Sequence, residues 1–412
     1  MLRLRPFAAL RPTPELASKV AAVPYDVVNR EEARALCQGN EHNLLHVSRA
    51  EVDLPDDVDP HDDRVYAAAR QRFEHMIACG VLVREAKPCL YAYRQETTLA
   101  GRPVSQLGIV GCCHVDDYNR ERIKKHEVTR KDKEDDRTRH TLTINANAGP
   151  VFLAYKPRAG LSTLAAQATR GDALYDFTAD DGVRHTVWRI EDAQPYVDAF
   201  AAIECAYVAD GHHRSASAAR AASERRRDNP QHTGDEEYNW FLCVLFEADQ
   251  LNVLPYHRLV RDLGGLSPAA LLERLGAIAQ VTAAQTPIPA QPGAFGLYLE
   301  GRWYQVALPA ALIPRDPVRS LEYVLLSEHV LGPLLGITDL RTDKRIDFVG
   351  GIRGTGELER RVNSGEHAAA FAMRATTLEQ LMRVADAGLI MPPKSTWFEP
   401  KLRSGLLIHT LD

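Results

Sequence analysis

The segment Asp210-Gly211-His212-His213-Arg214 combines a carboxylate, two imidazoles and a guanidinium around one glycine. The apolar run before it predicts a strand over residues 206–209, and the small residues after it predict a helix over 215–227. Unpaired N–H groups and the positive dipole end make a helix start favourable for an anion. Glycine lets the backbone approach such a ligand closely, so the segment is expected to be a phosphate-binding turn.

The polar residues of this turn have roles that match phosphoryl chemistry. Arg214 can clamp phosphate oxygens with its planar fork, and His212, His213 and Ser215 are expected to contact the nucleotide. Asp210 can hold Mg²⁺ or accept the proton of an attacking hydroxyl. The alternative, in which these side chains only cap a helix, stays open. No Walker sequence and no dinucleotide fingerprint occur, so those common nucleotide-binding folds are not expected.

A second group of candidates lies in the densely charged block of residues 123–137. Most of this block is expected on the solvated face of a helix over 119–139, stitched by pairs of opposite charge. His126 and Glu127 are the exceptions, because a family resemblance described below implies that they are catalytic residues. Lys133 is a candidate for neutralising the charge of a transferring phosphate or of the substrate.

Three further segments allow two interpretations each. Asp26, in a Pro-Tyr-Asp loop, either starts a turn or contacts the substrate or a metal ion. Residues 394–401 either pack as a tail or fold over the nucleotide, with Lys394 and Ser395 near phosphate. The run Cys112-Cys113-His114 is better explained as part of a buried strand than as a metal site, because paired zinc-ligand spacing is missing.

The Asp-Gly-His-His-Arg turn resembles the signature of the ParB/sulfiredoxin superfamily, in which a Gly-x-x-Arg turn at a helix start binds nucleotide phosphates. Within that superfamily the turn is most similar to the free serine kinases, which convert L-serine to O-phosphoserine with ATP or ADP. Over nearly its full length the chain also resembles a family of bacterial and archaeal proteins without an assigned function. The matching segments are Arg5-Pro6-Phe7, Pro24-Tyr25-Asp26, His126-Glu127, the phosphate turn and Pro393-Lys394-Ser395-Thr396-Trp397-Phe398.

The resemblance implies a phosphotransferase that uses Mg²⁺ with ATP or ADP and has L-serine as its small-molecule substrate. It implies that Glu127 binds the ammonium group of serine, while Asp210 acts on the hydroxyl. A competing hypothesis is a ParB-like nucleotide-binding switch without turnover. A sulfiredoxin-like redox enzyme is not expected, because that chemistry needs a cysteine where this turn has His212 and His213.

The elements that position these residues indicate an α/β (α+β) protein. A ParB/sulfiredoxin-like nucleotide-binding catalytic domain is expected over residues 1–265 and a C-terminal α/β domain over 266–412. Helices are predicted over 31–38, with Asn29 as cap, and over 64–79; residues 157–185 look irregular. The predicted strands span residues 44–48, 90–94, 107–115, 151–155, 240–247 and, in the same sheet, 254–260.

Composition limits the classes of partner. The chain has 412 residues, 45% hydrophobic and 25% charged, with a net charge of −5, so neither a nucleic-acid partner nor a disordered chain is expected. No run reaches the roughly 18 apolar residues of a membrane helix. Seven scattered cysteines indicate reduced thiols and a cytoplasmic location. A homo-oligomer is compatible with these features.

Overall fold

The computed structural model describes residues 1–412 and divides into two compact units. Residues 1–251 and 400–412 form the first unit, and residues 252–399 form the second. The expected boundary after residue 265 differs from this division for two reasons. Strands that begin at Asn252 and Tyr256 pair within the second unit, and the end of the chain returns to the first, where Leu10 and Ile408 exchange backbone hydrogen bonds. Both units are α+β, as expected.

The first unit contains twelve strands in its N-terminal part. They are β1 Leu4–Arg5, β2 Leu10–Pro12, β3 Leu82–Arg84, β4 Leu90–Leu99, β5 Arg102–His114, β6 Ile123–Lys124, β7 Ala146–Asn147, β8 Val151–Tyr155, β9 Tyr175–Thr178, β10 Arg184–Ile190, β11 Ala206–Asp210 and β12 Trp240–Glu247. Nine of them form one mixed sheet in the order β6-β11-β8-β12-β5-β4-β10-β9, with β1 beside β5. The predicted strands over 151–155 and 240–247 are confirmed as β8 and β12.

The centre of this sheet is buried on both faces, which explains its nearly continuous apolar strands. All residues of β8 are buried, and all of β12 after its first residue. Cys112 and Cys113 lie fully buried on β5, as a strand predicts. The β4–β5 hairpin turns at Ala100 and Gly101, both at positive φ (49° and 77°), which suits a two-residue hairpin turn. Strand β4 continues to Leu99 and strand β5 begins at Arg102, so both strands extend closer to the turn than the predicted strand ends at residues 94 and 107.

Nine α-helices complete the first unit. They are α1 Ala17–Val20, α2 Arg30–Cys37, α3 Leu45–Ser48, α4 Asp63–Ala78, α5 Val115–Asn119, α6 Lys131–Ile144, α7 Ala159–Ala168, α8 Gln194–Ala201 and α9 His212–Asp228. Helices α2 and α4 confirm two predictions. The side chain of Asn29 accepts a hydrogen bond from the Glu32 N–H in a capping box, so the predicted cap is also confirmed.

Three predictions of local structure are wrong. Residues 45–48 form helix α3 and not a strand, because a short apolar run fits either. The charged block is no single helix over 119–139: β6 interrupts it, where buried Ile123 pairs beside β11, and α6 begins only at Lys131. Residues 157–185 contain α7 and β9, so they are not irregular.

The second unit is built on a six-stranded antiparallel sheet. The whole unit has eight strands, which are β13 Asn252–Leu254, β14 Tyr256–Val260, β15 Gln280–Ala283, β16 Ala294–Leu299, β17 Arg302–Ala307, β18 Ile346–Gly350, β19 Ala369–Ala372 and β20 Trp397–Glu399. Its α-helices are α10 Pro268–Ile278, α11 Glu322–Leu326, α12 Gly356–Asn363 and α13 Leu378–Asp386. The sheet order is β15-β17-β16-β19-β14-β18, and β13 pairs separately with β20. The prediction that 254–260 joins the sheet of the first unit is therefore wrong.

One short strand, β21 His409–Thr410, follows the second unit in sequence and pairs with β7 of the first. All seven cysteines are free thiols. None of the helices combines the length and the apolar character that crossing a bilayer requires.

Candidate functional site at the start of helix α9

The predicted phosphate turn consists of a single residue between a strand and a helix. Strand β11 ends at Asp210, Gly211 follows with φ 94° and ψ 33°, and α9 begins at His212. The helix thus starts three residues earlier than the expected 215. No side chain caps this start, because the cap position is a glycine. The first N–H groups of a long helix are therefore available to a ligand.

A partly buried carboxylate with two cations lies at this turn. Asp210 Oδ2 accepts a hydrogen bond from Arg214 at 2.6 Å, and Oδ1 accepts one from Lys401 Nζ at 3.1 Å. The side chains of Asp210, Arg214 and Lys401 are 24%, 10% and 12% exposed. Although burial opposes ionisation, Lys401 and Arg214 hold the pKa of Asp210 far below its ordinary value. Asp210 is therefore ionised at neutral pH.

Lys401 is the site residue that the sequence interpretation missed. It belongs to the segment 394–401, but Lys394 and Ser395 were the residues expected near phosphate. Those two residues are in the second unit, where Ser395 Oγ donates to the Pro392 carbonyl oxygen at 2.5 Å. The second lysine of the segment was the available signal, and its partner Asp210 lies 191 residues away in sequence.

The predicted pair His126 and Glu127 lies beside the same helix start. The rings of His126 and His212 meet edge to face, with centroids 4.5 Å apart. One Glu127 oxygen lies 3.9 Å from His126 Nε2, and the other lies 3.9 Å from His212 Nδ1. His213 Nε2 accepts a hydrogen bond from the Arg130 N–H at 3.2 Å. Residues separated by more than eighty positions thus form one cluster.

Both buried imidazoles of this cluster are neutral. His126 is fully buried and His212 is 7% exposed. Burial lowers the pKa of His126 to about 3 and lowers that of His212 well below its ordinary value. They can donate or accept hydrogen bonds, but they add no positive charge for a phosphate. The cationic character of the site therefore comes from Arg214 and Lys401.

The remaining predicted residues differ in their placement. Asp26 is exposed. Burial alone would lower the pKa of Arg214, but the negative charges of Asp210 and Asp26 raise it above its ordinary value. The Ser215 hydroxyl donates to the backbone carbonyl oxygens of Gly211 and His212 at 3.2 and 3.1 Å. The Ser215 N–H also donates to the Gly211 carbonyl oxygen, so the polar groups of Ser215 bond to the backbone at the start of its own helix. Lys133 lies on α6 and has no hydrogen bond or ion pair to the cluster.

The site does not fit a metal ion held by protein side chains. Both oxygens of Asp210, the predicted Mg²⁺ ligand, already accept hydrogen bonds from cationic groups. No group of three or more His, Cys, Asp or Glu side chains is arranged to hold a metal ion. A magnesium ion at this site would have to be bound by the phosphates of a nucleotide, and substrate phosphates are common ligands of Mg²⁺ in proteins.

If this turn binds nucleotide phosphates as expected, replacing Gly211 with Ala should weaken that binding at least tenfold. A Cβ atom there would meet Arg214 Nε at 3.0 Å, and positive φ adds about 1–2 kcal/mol of strain. The measurement is titration with a fluorescent ADP analogue, alongside urea unfolding. Gly101→Ala is the matched control, because Gly101 has φ 77° but nothing within 4 Å of the added carbon. Equal nucleotide affinity in the two variants would contradict the placement of the ligand at this turn.

Acidification below pH 6.5 is expected to destabilise the first unit through its buried histidines. The neutral ring of His140 donates from Nε2 to the Val47 carbonyl oxygen at 2.9 Å, and burial lowers its pKa to about 4. Since the unfolded chain binds protons near pH 6.5 and the folded state does not, stability falls as pH falls between those values, by up to about 1.4 kcal/mol per pH unit for each such histidine. Thermal unfolding at several pH values measures this slope. His140→Gln should reduce it, whereas the exposed control His75→Gln should not.

Comparison with known proteins identifies the family. The family model described as "Protein of unknown function (DUF1015)" matches residues 4–324. No curated protein matches the chain.

Among solved structures, a conserved hypothetical protein from Pyrococcus furiosus is 14% identical with a TM-score of 0.36, and the match covers 73% of this chain and 94% of that one. A free serine kinase in complex with AMP is 12% identical with a TM-score of 0.36, covering 73% and 91%. SbnI with C-terminal truncation from Staphylococcus aureus is 11% identical with a TM-score of 0.38, covering 73% and 87%. Because the family model spans most of the sequence, the chain belongs to the DUF1015 family.

Proposed function

We propose that this protein is a phosphotransferase that moves the terminal phosphoryl group of ATP or ADP to the hydroxyl of L-serine. The observation that supports this most is the ionised Asp210 between Arg214 and Lys401, at the uncapped start of α9. Phosphoryl transfer needs an anion-binding surface, cations that follow the transferring charge and a carboxylate near the nucleophile. The resemblance of the Asp-Gly-His-His-Arg turn to that of the free serine kinases names serine as the acceptor.

The nucleotide phosphates bind at the first N–H groups of α9, where Gly211 leaves room for them. Arg214 and Lys401 supply the positive charge, because the neighbouring imidazoles of His126 and His212 are neutral. In the free protein Asp210 holds both cations. A bound phosphate then shares them with Asp210, and this arrangement positions the carboxylate next to the transferring group.

The reaction forms one bond and breaks one. The serine hydroxyl oxygen bonds to the terminal phosphorus, and the bond from that phosphorus to the bridging oxygen breaks, with its electron pair leaving on ADP or AMP. Asp210 orients the hydroxyl and accepts its proton late, as the new bond forms, since its low pKa makes it a weak base. Glu127 binds the serine ammonium group. The nucleotide is supplied as its magnesium complex, which is a substrate.

The test offers purified protein the magnesium complex of ATP or of ADP with L-serine, and follows O-phosphoserine by ³¹P NMR. Product formation that needs both substrates supports the proposal. Tight nucleotide binding without product, with either donor, would contradict it and favour a nucleotide-binding regulator.

Glu127→Gln should raise the KM for L-serine about 10- to 100-fold, because a hydrogen bond to a charged group is lost. The nucleotide KM should stay nearly constant. Glu121→Gln is the matched control: that carboxylate is 65% exposed and 4.0 Å from Lys125. Steady-state kinetics with each substrate varied in turn separate the two constants. An unchanged serine KM in Glu127→Gln would exclude the proposed role of this residue.

A further inference from the structure

A small cavity lies behind Arg214 inside the first unit. Its volume is about 50 Å³, which is room for roughly four water molecules or one group of similar size. Its polar wall includes Ser48 on α3, Arg137 on α6, Asn147 on β7 and Arg214 on α9, while Val151 and Phe241 contribute apolar surface. The cavity shares Arg214 with the phosphate turn, so a molecule bound in it would be adjacent to the proposed nucleotide.

Three buried polar atoms around this cavity have no hydrogen-bond partner: Ser48 Oγ, Asn147 Oδ1 and Arg214 Nε. Ser48 is only 8% exposed and the Arg214 side chain only 10%. The other two nitrogens of Arg214 donate to Pro150 and Asp210, so Nε is its remaining donor. Buried polar atoms in folded proteins are almost always paired with protein or with a bound molecule. Three such atoms at one cavity therefore indicate a polar ligand.

The charges at the cavity favour an oxyanion. Two arginines line it and no acidic side chain does. Arg137 donates to the Ser48 carbonyl oxygen at 3.1 Å, which holds a guanidinium beside the unpaired hydroxyl. The oxygen and nitrogen of an asparagine amide are interchangeable by rotation, so Asn147 can also present a donor. Ser48, Asn147 and Arg214 Nε then offer three donors, which matches the lone pairs of a carboxylate.

We infer that this cavity binds the carboxylate of the acceptor amino acid, through Ser48, Asn147 and Arg214 Nε. The inference rests on the proposed function and adds its specificity: an acceptor must carry a carboxylate beside its amino and hydroxyl groups. Arg214 serves both substrates, with its terminal nitrogens near phosphate and Nε on the carboxylate. Amino alcohols that lack the carboxylate, such as ethanolamine, are then poor acceptors, because they leave these donors buried and unpaired.

Kinetics with L-serine and ethanolamine test the inference. Wild-type protein should use L-serine at least 100-fold more efficiently, by kcat/KM. Ser48→Ala should raise the KM for L-serine about tenfold and leave that for ethanolamine unchanged, since only serine loses a partner. Asn147→Asp should raise the serine KM further by repelling its carboxylate. Ser223→Ala is the matched control, because that hydroxyl donates to the Ala219 carbonyl oxygen on the same helix as Arg214, at 2.9 Å. Equal effects on both acceptors, or no effect, would overturn the inference.

Calorimetric titration of L-serine into nucleotide-free protein keeps this test independent of turnover. If no phosphoryl transfer occurs, the proposed function fails, but serine binding that Ser48→Ala weakens about tenfold still supports the carboxylate subsite. If wild-type protein makes O-phosphoserine while Ser48→Ala and Asn147→Asp bind and turn over serine normally, the function stands and the subsite is wrong. If wild-type protein neither binds nor phosphorylates serine, both are wrong.

Discussion

Asp210→Asn should reduce the rate of phosphoryl transfer about 10²- to 10⁴-fold, the range for loss of a positioned catalytic acid or base. It should also lower the free energy of unfolding by about 2–4 kcal/mol. Removing one member of a buried ion cluster leaves the others without a counter-charge, here Arg214 and Lys401, although Asp210 is 24% exposed and solvent reduces the cost. Steady-state rates and urea unfolding of the same preparations measure both effects.

The exposed pair Asp176–Arg184 provides the control for Asp210→Asn. Its two side chains are 42% and 53% exposed, so Asp176→Asn should change stability by less than about 1 kcal/mol and the rate not at all. If Asp210→Asn lowers stability but its folded fraction turns over normally, the cluster serves folding alone. If neither property changes, the site lies elsewhere.

Lys401→Met should weaken nucleotide binding about 10- to 100-fold, because a charged hydrogen-bond donor is lost beside the phosphates. It should also shift the acid limb of the activity profile upward. Lys401 is the strongest of the cations that lower the pKa of Asp210, so its removal raises that pKa. Since Asp210 must be ionised to act, activity is then lost at a higher pH as the solution is acidified.

Nucleotide titration and a pH profile of kcat/KM test Lys401→Met together. Lys87→Met, at an exposed position, should leave both unchanged. A loss of affinity with an unshifted acid limb would show that Lys401 contacts phosphate without setting the ionisation of Asp210. Wild-type behaviour in both measurements would remove Lys401 from the site.

Local signals in the sequence predicted many elements correctly. The Asn29 cap marks the start of α2, and Gly80 at φ 73° follows the end of α4. Such signals depend on neighbours along the chain. The short run at 45–48 carries too few residues to distinguish a helix from a strand. The charged block was mistaken for one helix because its interruption depends on Ile123 pairing with a distant strand.

The candidate site divides in the same way. The turn at Gly211 was predictable, because a strand, a glycine and a helix follow each other directly in sequence. The role of Lys401 was not, since no local pattern reports a partner 191 residues away. The sequence predicted that His212 and His213 contact the nucleotide, but not that His126 and His212 are neutral. Their neutrality follows from their burial, which residue type alone does not reveal.

The return of residues 400–412 to the first unit has a consequence for synthesis on the ribosome. Nearly all of the first unit leaves the ribosomal tunnel before the second unit is made, and N-terminal domains generally fold first. A nascent chain therefore holds Asp210 and Arg214 long before Lys401 emerges. Until then the ion cluster lacks one of its two cations, so the site is complete only after Lys401 has emerged.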